Sequence, residues 1–305
     1  MSSQERPIRV LFAGTTFVVG GAERILSHLI RGLAEIHEHS EDSAAIHHRF
    51  EVELLALRGP GLIGEEIRSL GIPVHHGLTG EQRLDPGLPL RIRRLLRRGR
   101  YDAIYFLDHA HAVFYGVLAS LGTTVRVRLM PVHTTGQWNG QPSIKRPIRL
   151  VRRSLDRIVA IAEAQRQYLC REEGVPASQL VVIPNGIPLE SPDIAEAQWR
   201  RAQIRERLGV DETTPVIGIT AVLRPEKNHE LLLRALAQLR GSDRSDLRAT
   251  EVWIVGDGVR RPALEAEAAS LGIQGAVRFL GHRSDARQIM AGFDVAVLCS
   301  HPRVE

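Results

Sequence analysis

Strand-length apolar runs and helix-length amphipathic stretches alternate along nearly all of this 305-residue chain, and the alternation restarts once. That order leaves few architectures open. Ile8 to Ala13 is a continuous apolar run closed by Gly14, the pattern of a parallel strand buried on both faces. Ala22 to Ile36 follows, with Ile25, Leu29, Leu33 and Ile36 on one helical stripe. Further strands are predicted at Phe50 to Leu57, Tyr101 to Leu107, Val125 to Met130, Ile158 to Ala162 and Leu180 to Ile183, with helical stretches between most of them. A βαβα order of this kind builds a mostly parallel sheet covered by helices on both faces.

After Asn185-Gly186 the rhythm breaks. Residues 187 to 215 hold three prolines and a polar helix candidate, Ala195 to Leu208. A new first strand then begins at Val216 to Val222, followed by a helix at Glu230 to Leu239 and a strand at Val252 to Val255. Arg260 to Leu271 reads as a helix, and Val277 to Leu280 and Val295 to Leu298 as strands. The expectation is two doubly wound α/β domains, residues 1–186 and 187–305.

Composition narrows the function classes. At 43% hydrophobic and 25% charged residues the chain suits a globular core. Cys170 and Cys299 lie far apart without metal-ligand spacing, which argues against a disulfide scaffold or a zinc site and fits a reducing cytoplasm. Val10 to Ala13 is too short for a signal-peptide core, and no stretch approaches the roughly 18 to 20 apolar residues of a membrane span. A soluble, cytoplasmic protein is expected. Arg91 to Arg100 carries six arginines in ten residues, with Ile92, Leu95 and Leu96 as a narrow apolar stripe. Lys145, Arg146, Arg149, Arg152, Arg153 and Arg157 form a second basic cluster. A solvated helix face and contact with an anionic membrane both fit the first cluster. Nucleic acid is not expected, because no aromatic interleaving or binding motif accompanies the arginines.

In doubly wound sheets, ligands sit beyond the carboxyl ends of strands, where loops meet helix N-termini. Four loops stand out on that rule. Gly14 to Glu23 places Gly20-Gly21 just before a helix, where backbone amides can approach an anion, although tight-turn glycines explain the pair equally. It lacks the G-x-G-x-x-G spacing of a dinucleotide site, which disfavours a nicotinamide dehydrogenase. His133 follows a strand and precedes Thr134-Thr135-Gly136, as a hydroxyl-binding group or as a structural histidine. Leu223 to His229 puts Arg224 and Lys227 on a strand-to-helix turn, suited to a diphosphate leaving group or to a surface ion pair with Glu226. Val255-Gly256-Asp257-Gly258 is another glycine turn into a helix, and the chain closes on a further strand and Glu305.

Taken together, Gly20 to Arg24, the His133 loop, Val182 to Ile187, Leu223 to His229, Val255 to Gly258, Phe279 to Gly281 and Phe293 to Glu305 resemble the family-4 retaining glycosyltransferases of the GT-B fold. The resemblance covers nearly the whole chain in the family's order and spacing. It implies two Rossmann-like domains, an acceptor-side first domain and a donor-binding second one. It implies sugar transfer from a nucleotide diphosphate donor to an acceptor such as a lipid-linked glycan or a polysaccharide precursor, with retained anomeric configuration, no cofactor and no metal. By position, Gly20 and Gly21 would line the donor, His133 would contact the transferred sugar, and Lys227 would bind the donor phosphates. Glu305 would be the first glutamate of the family's E-x7-E motif, and Asn185-Gly186 a structural turn.

Two features depart from the family pattern. An arginine is usual five residues before the phosphate-binding lysine, where this chain has Val222, so Arg224 is the substitute candidate. The second motif glutamate and the helix after it are absent, so the second domain is expected to be incomplete and this chain to show little or no transfer by itself. The alternatives are a non-catalytic fragment of such an enzyme and a GT-B sugar epimerase relative. The cytoplasm, or the inner face of a membrane contacted through Arg91 to Arg100, is the expected location.

Overall fold

The computed structural model describes residues 6–18, 20–35, 49–80, 85–107, 109–133, 141–189 and 193–301. The chain divides into two compact units, Met1–Pro188 and Leu189–Glu305. The sequence places the division near residue 186.

In the first unit, β1 (Ile8–Gly14), β2 (Phe50–Ala56), β3 (Val74–His76), β4 (Ala103–Phe106), β5 (Val127–Val132), β6 (Arg157–Ala160) and β7 (Leu180–Val182) form a parallel sheet in the order β3-β2-β1-β4-β5-β6-β7. The apolar run of β1 splits by strand alternation. Val10 and Phe12 pack against α1 (Gly21–Glu35) and α2 (Gly61–Ser69) through Leu26, Ile30, Ile63 and Ile67. Leu11 and Ala13 join the core of the opposite face, built by α3 (Leu88–Gly99), α4 (Ala110–Ser120), α5 (Arg146–Val151) and α6 (Glu163–Arg171). Both faces are covered, as a continuous apolar strand requires.

The second unit repeats the plan. Helix α7 (Ile194–Leu208) starts at Asp193, whose carboxylate accepts from the Glu196 amide at 2.7 Å, and ends at Gly209 in the left-handed region. Strands β8 (Val216–Thr220), β9 (Glu251–Val255), β10 (Val277–Gly281) and β11 (Val295–Ala296) form a parallel sheet in the order β10-β9-β8-β11. Helices α8 (His229–Arg240) and α9 (Arg261–Ser270) pack on one face. On the other, α7 and α10 (Ala286–Ile289) enclose the buried Trp253 with Phe293.

Three local expectations change. The edge strand β3 is too short, at three residues, to leave a periodic signal. Strand β5 runs on through Pro131, which pairs with Val159 on β6, while pairing with β4 stops at Leu129. With no β4 partner there, the proline's missing N–H removes no ladder bond on that side. Asn185 and Gly186 are exposed backbone without a turn.

Candidate functional site

Each sheet has one place where the strand order reverses, and the named loops gather there. In the first unit the chain runs outward from β1 to β2 and β3, then returns to lay β4 on the other side of β1. The loops after β1 and β4 therefore flank one crevice, the position where doubly wound sheets hold ligands. The first loop carries Gly20 and Gly21; the second carries His109, the residue before α4. The Thr15 amide donates to His109 Nδ1 at 3.0 Å. The opposite ring nitrogen, Nε2, lies 3.7 Å from Glu23 Oε1. Glu23 is in the first turn of α1 and is 8% exposed.

Burial works to raise the Glu23 carboxyl. The facing His109 imidazole, the residue's own backbone amide and the fields of His109 and His133 outweigh it, and the carboxyl titrates below its ordinary range. The two glycines differ. A Cβ at Gly20 would come 2.3 Å from Glu23 Oε2, so this glycine makes room for the folded-back carboxylate. A Cβ at Gly21 would meet no described atom within 4 Å, so internal packing does not demand a glycine there. His133 directly follows β5, and both its ring nitrogens are buried. It also borders an apolar cavity of about 760 Å³ beside α1, lined by Val10, Phe12, Leu29, Leu129 and the 183–188 segment among others. That lining is far less polar than a sugar's hydroxyls need.

In the second unit the order reverses between β8 and β11. The loop after β8 is clamped by two neighbours. From the β9 side, Leu223 N donates to Asp257 O at 3.0 Å and Arg260 N to Leu223 O at 3.1 Å. Gly256 and Gly258 permit this approach, since a Cβ would meet Ala221 O at 2.0 Å or Leu223 O at 2.5 Å. From the β11 side, the Cys299 thiol donates to Asn228 O at 3.2 Å, and His301 N donates to Glu226 O at 3.0 Å.

The clamped loop holds Lys227 half-buried, one residue before Asn228, whose left-handed backbone (φ 49°) turns the chain into α8. Burial lowers the Lys227 ammonium from its ordinary value, partly opposed by Glu226. A half-buried cation at a helix entrance gains most from a bound anion, which supplies the favourable field that water no longer gives. Leu223 is buried between exposed Val222 and Arg224, so those two side chains flank it on the solvent side of the loop.

The sequence model of Glycosyltransferase Family 4 matches residues 19–191, and that of the group 1 glycosyl transferases matches residues 200–305. The chain belongs to glycosyltransferase family 4. It is 26% identical over 310 residues to EpsF of Bacillus subtilis, a match covering 98% of this chain and 74% of that protein. It is also 26% identical over 190 residues to the GDP-mannose-dependent alpha-(1-6)-phosphatidylinositol monomannoside mannosyltransferase of Mycolicibacterium smegmatis, covering 62% of this chain and 47% of the relative. Among solved structures, Anabaena Alr3699/HepE in complex with UDP and glucose superposes with a TM-score of 0.74 at 22% identity, over 97% of this chain and 76% of that one. The likeness gives the fold: GT-B, two Rossmann-like domains.

For this glycosyltransferase, Gly20, Gly21 and His133 stand on the first unit, with Arg224 and Lys227 on the second. Glu305 lies outside the described residues. Sequence reading missed His109 and the buried setting of Glu23. No local motif marks His109; only the adjacency of β1 and β4 brings it to Thr15.

The basic helix α3 also resolves into parts. Leu88, Ile92 and Leu96 are buried in the unit's own core. Arg91 pairs with Asp85, and Arg93 reaches the Ala119 and Gly122 carbonyls at the end of α4. Arg94, Arg97, Arg98 and Arg100 are exposed. Among the described residues no helix is long and apolar enough to cross a membrane, and no group of three His, Cys, Asp or Glu side chains is arranged to hold a metal.

Proposed function

We propose that this glycosyltransferase moves a sugar, with retained anomeric configuration, from a nucleoside-diphosphate sugar to a lipid-carried or polysaccharide acceptor. The observation that carries the reading is Lys227, a half-buried cation on a clamped strand-to-helix turn at the point where the second sheet reverses. Its charge offsets the negative charge that builds on the departing diphosphate, and Arg224 adds a second cation in place of one at Val222. A metal plays no part in the proposal. On the first unit, Gly21 allows backbone to approach the donor, and His133 contacts the transferred sugar. Glu305 is assigned to the donor sugar from its place in the family motif.

A relative named for a phosphatidylinositol mannoside acceptor supports a lipid-carried acceptor for this chain. Four exposed arginines on and just after α3 would hold the first unit against an anionic cytoplasmic membrane face. Because the apolar side of α3 is buried in the protein, the attachment is electrostatic rather than insertive. Nucleoside-diphosphate calorimetry tests the donor assignment. Lys227→Ala should weaken UDP or GDP binding by about 2 kcal/mol, roughly 30-fold, the scale of a lost charged hydrogen-bond partner. Unchanged affinity would remove Lys227 from the donor site.

A further inference from the structure

Helix α7 carries two faces. Ile204 and Leu208 join the cluster around Trp253, and Arg205 is buried beside them. Glu196, Trp199, Arg200, Gln203 and Arg207 recur at spacings of three and four residues, so they form a second stripe along the helix. That stripe is one wall of a cavity of about 720 Å³. Ser284, Asp285 and Gln288, at the start of α10, form the other. The cavity lies wholly in the second unit and includes no residue of the Lys227 loop.

The lining narrows what the cavity can hold. Trp199 is 63% exposed, so it contributes little to the core of its own unit. A scattered apolar side chain on a surface needs no explanation, but this ring stands in the wall of a concave, mostly polar site. The charges there balance: Glu196, Glu206 and Asp285 against Arg200, Arg207 and Arg287. Arg200 donates to Glu196 Oε1 at 2.6 Å, and Arg207 donates to Asp285 Oδ2 at 2.7 Å, the second pair bridging the two walls. A polyanion such as nucleic acid or polyphosphate therefore finds no net field. Ile204 is the one aliphatic side chain of the lining, too little to seat the apolar face of a partner helix.

A neutral sugar ring suits all of these features. Its C–H face packs on an aromatic ring, and its rim of hydroxyls needs donors and acceptors together. Gln203 and Gln288 are exposed and line the cavity, and each side-chain amide offers both. The paired carboxylates and guanidinium groups add further acceptors and donors without a net charge.

We propose that the groove between α7 and α10 is a second carbohydrate site, which holds a neutral glycan chain with one ring stacked on Trp199. The inference rests on the sugar-transfer reading above and extends its polysaccharide acceptor. A chain held apart from the Lys227 loop stays with the enzyme between transfers.

Amide NMR titration of the full chain with maltohexaose, mannohexaose and cellohexaose tests the site. At least one of these neutral hexasaccharides should give saturable shifts concentrated in residues 196–207 and 284–288. Trp199→Ala should weaken that sugar about tenfold or more, as when an aromatic anchor is truncated, and Trp199→Phe should recover most of the loss. UDP affinity should stay within about twofold in both variants, since the two sites share no residue. No response in these residues to any hexasaccharide, equal affinity in Trp199→Ala, or tighter binding of heparin than of every hexasaccharide at this groove overturns the proposal. A hexasaccharide response here with no UDP response at residues 222–230 would instead sink the donor assignment and leave the glycan site standing.

Discussion

Arg205 offers the sharpest test of how the second unit holds the Lys227 loop in place. Its side chain is buried to within 1% exposure on α7. The guanidinium donates to Gly292 O at 3.1 Å, to Asp211 O, Glu212 O and Thr214 O at 2.9, 3.1 and 2.9 Å, and to Asp294 Oδ2 at 2.7 Å. Asp294 in turn accepts from the Val216 amide at the start of β8. One side chain thus joins α7, the entry to β8 and the entry to β11, the two strands whose loops meet at Lys227.

Arg205→Met keeps an unbranched apolar stem and removes all five bonds. Breaking a buried ion pair from one side costs about 3 to 5 kcal/mol. The low end applies, because Asp294 is 38% exposed and keeps Arg201 and the Val216 amide. For a unit of 117 residues, 189 to 305, an unfolding entropy of about 2.1 cal/mol/K per residue turns about 3 kcal/mol into a drop of about 12 °C. Thermal unfolding followed by tryptophan fluorescence in a Trp138→Phe background reads this unit, since the remaining Trp199 and Trp253 both belong to it and Trp253 is fully buried. Arg201→Met is the control: it shares Asp294 but is a quarter exposed, so about 1 kcal/mol or less is expected. An Arg205→Met loss no larger than that of Arg201→Met would refute the reasoning.

Three further outcomes are expected. His133→Ala should reduce kcat well beyond its effect on nucleotide affinity, because the proposed contact with the transferred sugar would tighten in the transition state; steady-state kinetics with full kcat retained would make the residue structural. Glu53 accepts from Tyr101 OH at 2.5 Å, His75 Nε2 at 2.6 Å and Arg9 at 2.7 Å. Burial raises its carboxyl, but these donors win and hold it below the ordinary range. Its stabilising contribution is therefore complete above the unfolded value of about 4.3 and lost as pH falls through the folded one, so Glu53→Gln should flatten the acid limb of the first unit's stability curve. Replacing Arg94, Arg97 and Arg98 by Gln should abolish binding to anionic vesicles at low salt, while the unmodified chain should release as salt rises; equal binding to neutral vesicles would contradict an electrostatic attachment.

The sequence carried most of the strands, though not their order in the sheets. Buried parallel strands are short apolar runs, and β1, β2, β8 and β9 are long enough to show themselves within a residue or two of their ends. What could not be read lies where function depends on tertiary adjacency. His109 is unremarkable in sequence and matters only because β4 lies beside β1. Gly20 and Gly21 look like one feature, yet a Cβ at the first would displace the Glu23 carboxylate and one at the second would meet no described neighbour. The arginines of α3 look alike as well. Their division into structural and exposed sets follows from the turn each occupies relative to α4, which periodicity alone does not reveal.

A nucleoside diphosphate is expected to dock on the Lys227 loop, and amide NMR titration reads that placement even when affinity is weak. UDP and GDP should each give saturable shifts concentrated in residues 222–230 and 256–258, and in 299–301 beside them. Lys227→Ala should lose those shifts while the rest of its spectrum stays that of the folded protein. Shifts confined to other regions, or an equal response from Lys227→Ala, would rule out docking on the Lys227 loop.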